Sequence, residues 1–124
     1  MPFAIMLWNR APYEYSRSAD GLVFTAGACP LDAAGNVVAP GDIEAQARKA
    51  TDNLVAALAD AGTNLDSLLK TTIYVATDSR ADLVLAWQAI SSRLGRTPST
   101  LLGVVCLGYP DQLVEIEAVA SVNQ

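Results

Sequence analysis

The chain contains no histidine. That absence excludes serine–histidine–aspartate and cysteine–histidine catalysis and every histidine-ligated metal centre. Acid–base chemistry is left to carboxylates, tyrosines, a thiol or bound water. Positive charge is scarce too. Eight lysines and arginines stand against thirteen aspartates and glutamates, for a net charge of −5. Such a surface repels phosphate backbones, and no basic run offsets it, so no nucleic-acid partner is expected. No segment has the roughly 18 to 20 apolar residues of a membrane span. The apolar start, Met1 to Trp8, has no basic leader and is broken by Asn9 and Arg10, unlike a signal peptide. A soluble cytoplasmic protein, with no membrane partner, is the expectation. Only two cysteines occur, Cys29 and Cys106. Neither has metal-type spacing, and both lie in apolar surroundings, which predicts buried, reduced thiols.

The 124 residues suit one domain, 1–124, with a single core. Hydrophobic residues make up 52% and charged residues 17%. That balance is apolar for so small a globule and points to surface buried between subunits.

Pro2 to Trp8 reads as a short edge strand, and Tyr13 to Ala19 as a second extended segment. Asp20-Gly21 turns the chain into a strand over Leu22 to Ala28, a hairpin by its turn chemistry. Asp32 to Gly35 is a polar turn, with Asn36 to Ala39 extended after it. Asp42 is placed to cap a helix. Ile43, Ala47, Ala50, Leu54, Leu58 and Ala61 then recur at helical spacing, and Gly62 ends the stripe. Leu68 to Ala76 is β-branched and reads as a strand. Ser79 with Asp82 resembles a capping box opening a second helix. Leu83, Trp87, Ile90 and Leu94 share its inner face, and Gly95 closes it. Thr100 to Leu107 is apolar on both faces, so both should be covered. After the turn at Gly108 to Asp111, Leu113 to Val122 forms the last strand. There Val114, Ile116, Ala118 and Ala120 share one face, and Leu113, Glu115, Glu117 and Val119 the other. The order β-β-β-α-β-α-β-β predicts an α+β fold, one mixed and mostly antiparallel sheet with both helices on one face. The opposite face keeps apolar residues, and a symmetric partner is the economical cover for it.

Four segments resemble one family in order and spacing. Leu22-Val23-Phe24-Thr25-Ala26-Gly27 is similar to the third segment of the RidA/YjgF reactive-intermediate (enamine/imine) deaminases. Asp42 to Ala47 followed by Asn53-Leu54 resembles their first helix. Lys70 to Val75 resembles their KTT-containing strand, and Val114 to Ala120 their closing strand. The resemblance spans Pro12 to Ala120. It implies a chorismate-mutase-like subunit, a homotrimer whose sheets form a central barrel, and ligand sites in the clefts between subunits. It also implies hydrolysis of enamines and imines to a carbonyl compound and ammonia, with no metal or organic cofactor.

By this resemblance Glu115 is the carboxylate near the water and the imine nitrogen, and Tyr13 the tyrosine over the substrate. Glu117 points the same way as Glu115. The resemblance also exposes departures. The family carries Pro-Ala-Arg where this chain reads Pro98-Ser99-Thr100, so Thr100 stands where an arginine grips the substrate carboxylate. Ala26 stands in place of the usual serine, and Trp87 falls near a family asparagine. A threonine hydroxyl cannot supply the bidentate charge of a guanidinium. Leu102, Trp87 and Tyr109 are candidates to line a site for a larger, more apolar or uncharged ligand. Arg17, four residues after Tyr13, is a candidate replacement cation if that segment is a strand, and Arg96 a weaker one. Two functions follow as expectations: an imine deaminase with altered substrate choice, or a non-catalytic trimer that binds a small metabolite or partner. Ribonuclease activity, attributed to some relatives, fits poorly with an acidic chain lacking histidine.

Overall fold

The computed structural model describes residues 5–122. Five strands and two helices follow in the order β1 (Ser16–Ala19), β2 (Leu22–Thr25), α1 (Ile43–Asp60), β3 (Leu68–Ala76), α2 (Arg80–Leu94), β4 (Ser99–Val104) and β5 (Val114–Ser121), with one 3₁₀ turn, Leu65–Ser67, before β3. The sheet runs β1-β2-β5-β3-β4. Only β3 and β4, joined through α2, are parallel, and the other pairs are antiparallel. The expected mixed sheet with two helices is therefore present.

α1 begins where Asp42 accepts a hydrogen bond from the Ala45 amide at 3.0 Å. It ends where Gly62, at φ 85°, turns the chain in the left-handed region. Its stripe of Ala47, Ala50, Leu54 and Leu58 is buried against β2 and β5, while α2 crosses β3 and β4. From the sheet, Val23, Ile73, Val75, Val114, Ile116, Ala118 and Ala120 complete the core. The face assignment of β5 follows the sequence alternation residue by residue.

Several expectations are corrected. Residues 2–4 of the first expected strand lie outside the described residues, and Ile5 to Trp8 belongs to no strand, so the described order has one strand fewer. The β2 strand stops at Thr25 rather than Ala28. Beyond it only Ala28 meets β5, through an isolated bridge to Ile116. Extended structure before it starts at Ser16, not Tyr13, because Tyr13 turns away toward Tyr109. The second helix starts after Ser79, but the Ser79 side chain makes no cap. Asp82 instead accepts from the Thr77 hydroxyl at 2.7 Å, and the same hydroxyl accepts from the Ser79 amide. The apolar segment from Thr100 is an edge strand with one face uncovered in the chain, and Val105 just beyond it is 99% exposed. Cys106 is exposed, whereas Cys29 is buried as expected.

The uncovered face of the sheet can be read in rows from the strand registers. Arg17, Phe24, Val119 and Lys70 form one row, Glu117, Thr72 and Thr100 the next, and Glu115, Tyr74 and Leu102 the third. Phe24 and Leu102 are 47% and 43% exposed on it. Among the described residues these two large apolar side chains are left only half covered.

Candidate functional site

Glu115 sits near the start of β5, on the uncovered face of the sheet. Its Oε1 atom accepts from the Gln112 amide at 3.0 Å and from the Cys29 thiol at 3.4 Å. Its Oε2 atom has no hydrogen-bond donor among the described residues. The carboxylate lies over Gly27, where any Cβ would overlap it. A Cβ at position 27 would thus push the carboxylate aside, so close approach and not backbone angle sets glycine apart here. One oxygen is held and the other is left for a ligand or a water.

Gln112 organises this corner. It is buried, and its Oε1 accepts from the Tyr109 amide while Nε2 also donates to the Val114 carbonyl. The turn before β5 is anchored a second time by Gln46 of α1, which is fully buried. Gln46 donates to the carbonyls of Ala39 and Asp111 and accepts from the Leu113 amide at 2.7 Å. Tyr109, carried by that turn, shares a hydroxyl–hydroxyl contact of 3.1 Å with Tyr13. A cleft of about 460 Å³ lies beside them, lined by Pro12, Tyr13, Ala26, Gly27, Cys29, Gly108, Tyr109 and Glu115. Its volume falls within the range typical of small-molecule sites.

Protonation follows from this packing. Burial, with the Glu115 charge adding to it, pushes the Cys29 thiol up to about 12, so the thiol stays neutral and acts as a donor. Burial and the bond to Tyr109 push the Tyr13 phenol up as well, so it too stays neutral. The Tyr74 phenol donates to Glu117 and is raised to about 12, mainly by that bond. Glu117 is thereby committed to a neighbour on the sheet and lines a separate hollow with Lys70, Thr72 and Phe24.

The structure brings together Glu115, Tyr13, Tyr109 and Ala26 from the residues singled out in the sequence. It does not bring the others to this cleft within one chain. Thr100 accepts from the Lys70 ammonium at 2.5 Å. Leu102 is on the uncovered face of β4, two strands from Glu115. Trp87 packs against the core from α2. Arg17 is exposed on β1 opposite Phe24, and it shares no strand face with Tyr13 because Tyr13 precedes the strand. Arg96 lies in the exposed link between α2 and β4. Cys29, Gln112, Gly27 and Gln46 were missed by sequence reasoning. Gln112 carried no motif, and the clash that a Cβ at 27 would meet depends on a side chain 88 positions away.

Among the described residues no helix is long and apolar enough to cross a membrane, and no group of three acidic or thiol side chains gathers as a metal site. The family model described as endoribonuclease L-PSP matches residues 7–122. A RutC family protein of Pyrococcus horikoshii is 30% identical over 110 residues, covering 88% of this chain and 86% of its own. The solved structure of the YjgF gene product of E. coli matches with a TM-score of 0.77 at 26% identity, over 96% of this chain and 94% of that one. E. coli TdcF, solved with bound serine, matches in fold with a TM-score of 0.81 at 22% identity, over 98% of this chain and 97% of that one.

Proposed function

Since the chain belongs to the endoribonuclease L-PSP family, that of RidA and YjgF, we propose that it hydrolyses imines, and enamines after tautomerisation, to a carbonyl compound and ammonia. The observation that carries this reading is the half-committed Glu115 carboxylate, with Oε1 held by Gln112 and Cys29 and Oε2 left without a donor at the cleft wall.

The chemistry needs little more. Oε2 accepts a proton from a water as its oxygen attacks the imine carbon, and the C=N electron pair moves to nitrogen. The proton held on Glu115 passes to the nitrogen of the tetrahedral adduct. Glu115 then takes the proton of the adduct's hydroxyl and passes it to the nitrogen, the C–N electron pair leaves with ammonia, and the oxygen lone pair closes the carbonyl, which returns the carboxylate unprotonated. The neutral phenols of Tyr13 and Tyr109 can donate to the adduct or to the water. Cys29 is not a nucleophile on this scheme, because burial holds its proton in place.

Thr100 stands where the family resemblance places an arginine, and its hydroxyl is taken up by Lys70. Small 2-imino acids are therefore poor substrates. Loss of a desolvated charge pair costs about 2–5 kcal/mol, tens to thousands of fold. The sheet face carrying Phe24, Leu102 and Glu115 is proposed to close against two further copies, which makes the cleft an intersubunit site. The same substitution favours a second reading, a trimer that binds a metabolite without turning it over. Endoribonuclease action is disfavoured by the net charge of −5 and by a cleft lined with no lysine or arginine.

The test follows ammonia or carbonyl release from enzymatically generated imines. Hydrolysis above the buffer rate that falls at least a hundredfold in Glu115→Gln supports the deaminase. Ligand binding with no turnover, unchanged in Glu115→Gln, selects the non-catalytic reading.

A further inference from the structure

Asn53 of α1 is a buried polar side chain that the scheme above does not use. It is 4% exposed and lies on the sealed side of the sheet, where a copy covering the open face does not reach. Both hydrogens of its amide are committed. Nδ2 donates to the Cys29 carbonyl at 2.8 Å and to the Leu31 carbonyl at 2.9 Å. That pairing fixes the orientation of the amide, because turning it over would set its oxygen against two carbonyl oxygens. Oδ1 is then left buried with no hydrogen-bond partner among the described residues, and a stranded acceptor of this kind is costly. Asn53 also lines a small cavity, which offers about 10 Å³ to the centre of a water, roughly the room that one molecule needs. Tyr13, Ala26 and Cys29 line both this cavity and the cleft, so they form the partition between the two, and Leu31, Asn53 and Ala57 close the cavity from behind. Tyr15 and Cys29, on the same lining, carry further acceptor atoms for a water.

Through Cys29 this arrangement reaches Glu115. The Cys29 thiol has one proton and two acceptors at 3.4 Å, the Gly27 carbonyl and Glu115 Oε1. The seat of the Cys29 backbone therefore decides which of them receives the proton. The Cys29 carbonyl also accepts from the Leu31 amide at 2.8 Å, so what Asn53 adds is the tie from this segment to α1. We propose that Asn53 is a positioning residue for Glu115, acting through Cys29, and that its Oδ1 binds one internal water in the cavity behind the cleft wall. Amide and water together hold the partition so that the thiol proton falls on the carboxylate. The consequence for catalysis rests on the hydrolase reading; the thiol bond and the water do not.

The infrared S–H stretching band of Cys29 tests this on the full chain without substrate. Burial keeps the thiol protonated, and Cys106→Ser, at an exposed position, leaves it as the single thiol of the chain. Glu115→Gln removes the charge, shifts the band and marks where a thiol without the carboxylate absorbs. Asn53→Leu is expected to shift the band the same way with Glu115 intact, and to lower kcat for imine hydrolysis roughly tenfold, the worth of one bond to a charged group. Asn53→Ser, which keeps a donor, should fall between the parent and Asn53→Leu. Leu54→Ala, its buried neighbour on α1, should loosen the core and leave band and kcat in place. An Asn53→Leu chain that melts lower, as Leu54→Ala does, but keeps the parent band and kcat overturns the positioning role. The unsubstituted chain tests the water even if the Asn53 variants fail to fold. Magnetisation transfer by NMR between a long-lived water and the Asn53 amide protons is expected, and a dry cavity overturns the site. If band and water behave as described and the parent hydrolyses no imine, the hydrolase reading falls and the positioning of the carboxylate stands. If the parent hydrolyses imines and Asn53→Leu keeps both band and kcat, the positioning falls and the hydrolase reading stands.

Discussion

Glu115 has two donors on one oxygen, and each can be removed by a single substitution. Gln112→Leu deletes the amide donor, and charge-assisted bonds of this kind contribute about 1.5–3 kcal/mol. We expect kcat for imine hydrolysis to fall at least tenfold and KM to rise as well, because the variant loosens the base and also leaves the Tyr109 amide at the cleft wall without its acceptor. Cys29→Ser should keep most of the activity, since a hydroxyl also donates, whereas Cys29→Ala should lose more. Rescue by serine separates positioning from packing. The thiol also predicts a pH effect on stability. Cys29 titrates near 9.0 in the unfolded chain and near 12 in the folded one. Between those values the folded chain keeps a proton that the unfolded chain has released, so stability falls as pH rises through the window. The loss should reach about 1–2 kcal/mol by pH 10. Melting curves from pH 7.5 to 10 should show it, and Cys29→Ala should flatten the slope. A slope unchanged by that substitution would remove Cys29 as its source. Of this corner the sequence disclosed only Glu115, Tyr13, Tyr109 and Ala26. Cys29 read as a bland buried thiol, because nothing local announces that its partner lies 86 residues on.

Helices and strands were the most legible parts of the chain. The α1 stripe, the Asp42 cap, Gly62 and the whole of β3 follow from periodicity and turn chemistry, since each is decided by neighbours within a turn or two. Where long-range contacts decide, the sequence misleads. Ser79 looks like a cap, but Asp82 is taken by Thr77, and the apolar run after Thr100 looks buried on both faces although it forms the sheet edge. Gln46 shows the same limit: on a helix pattern it is an unremarked polar residue, yet it fastens α1 to the turn that carries Tyr109. Gln46→Leu leaves the half-buried Leu113 amide without its acceptor and the Ala39 and Asp111 carbonyls without their donor, at a cost of about 1–3 kcal/mol. Thermal unfolding should read that loss, and activity should fall by more than stability alone explains. By contrast Leu54→Ala, in the core and not lining the cleft, should cost about 2–5 kcal/mol and leave kcat of the folded fraction unchanged.

At the scale of the molecule, one face of the sheet is sealed by two helices and the other displays Phe24 and Leu102 beside Glu115 and Glu117. The high apolar fraction of the sequence signals that a face of this kind exists, but composition cannot say which strands carry it; the registers do. In the proposed closure of three copies each cleft would borrow part of its wall from a neighbour. Phe24→Lys and Leu102→Glu should weaken this association, and activity should fall with it at low protein concentration. The direct measurement is the mass in solution by light scattering at micromolar concentration. Three copies of the 13.0 kDa chain predict about 39 kDa. A stable 13.0 kDa species that still hydrolyses imines would contradict the shared cleft.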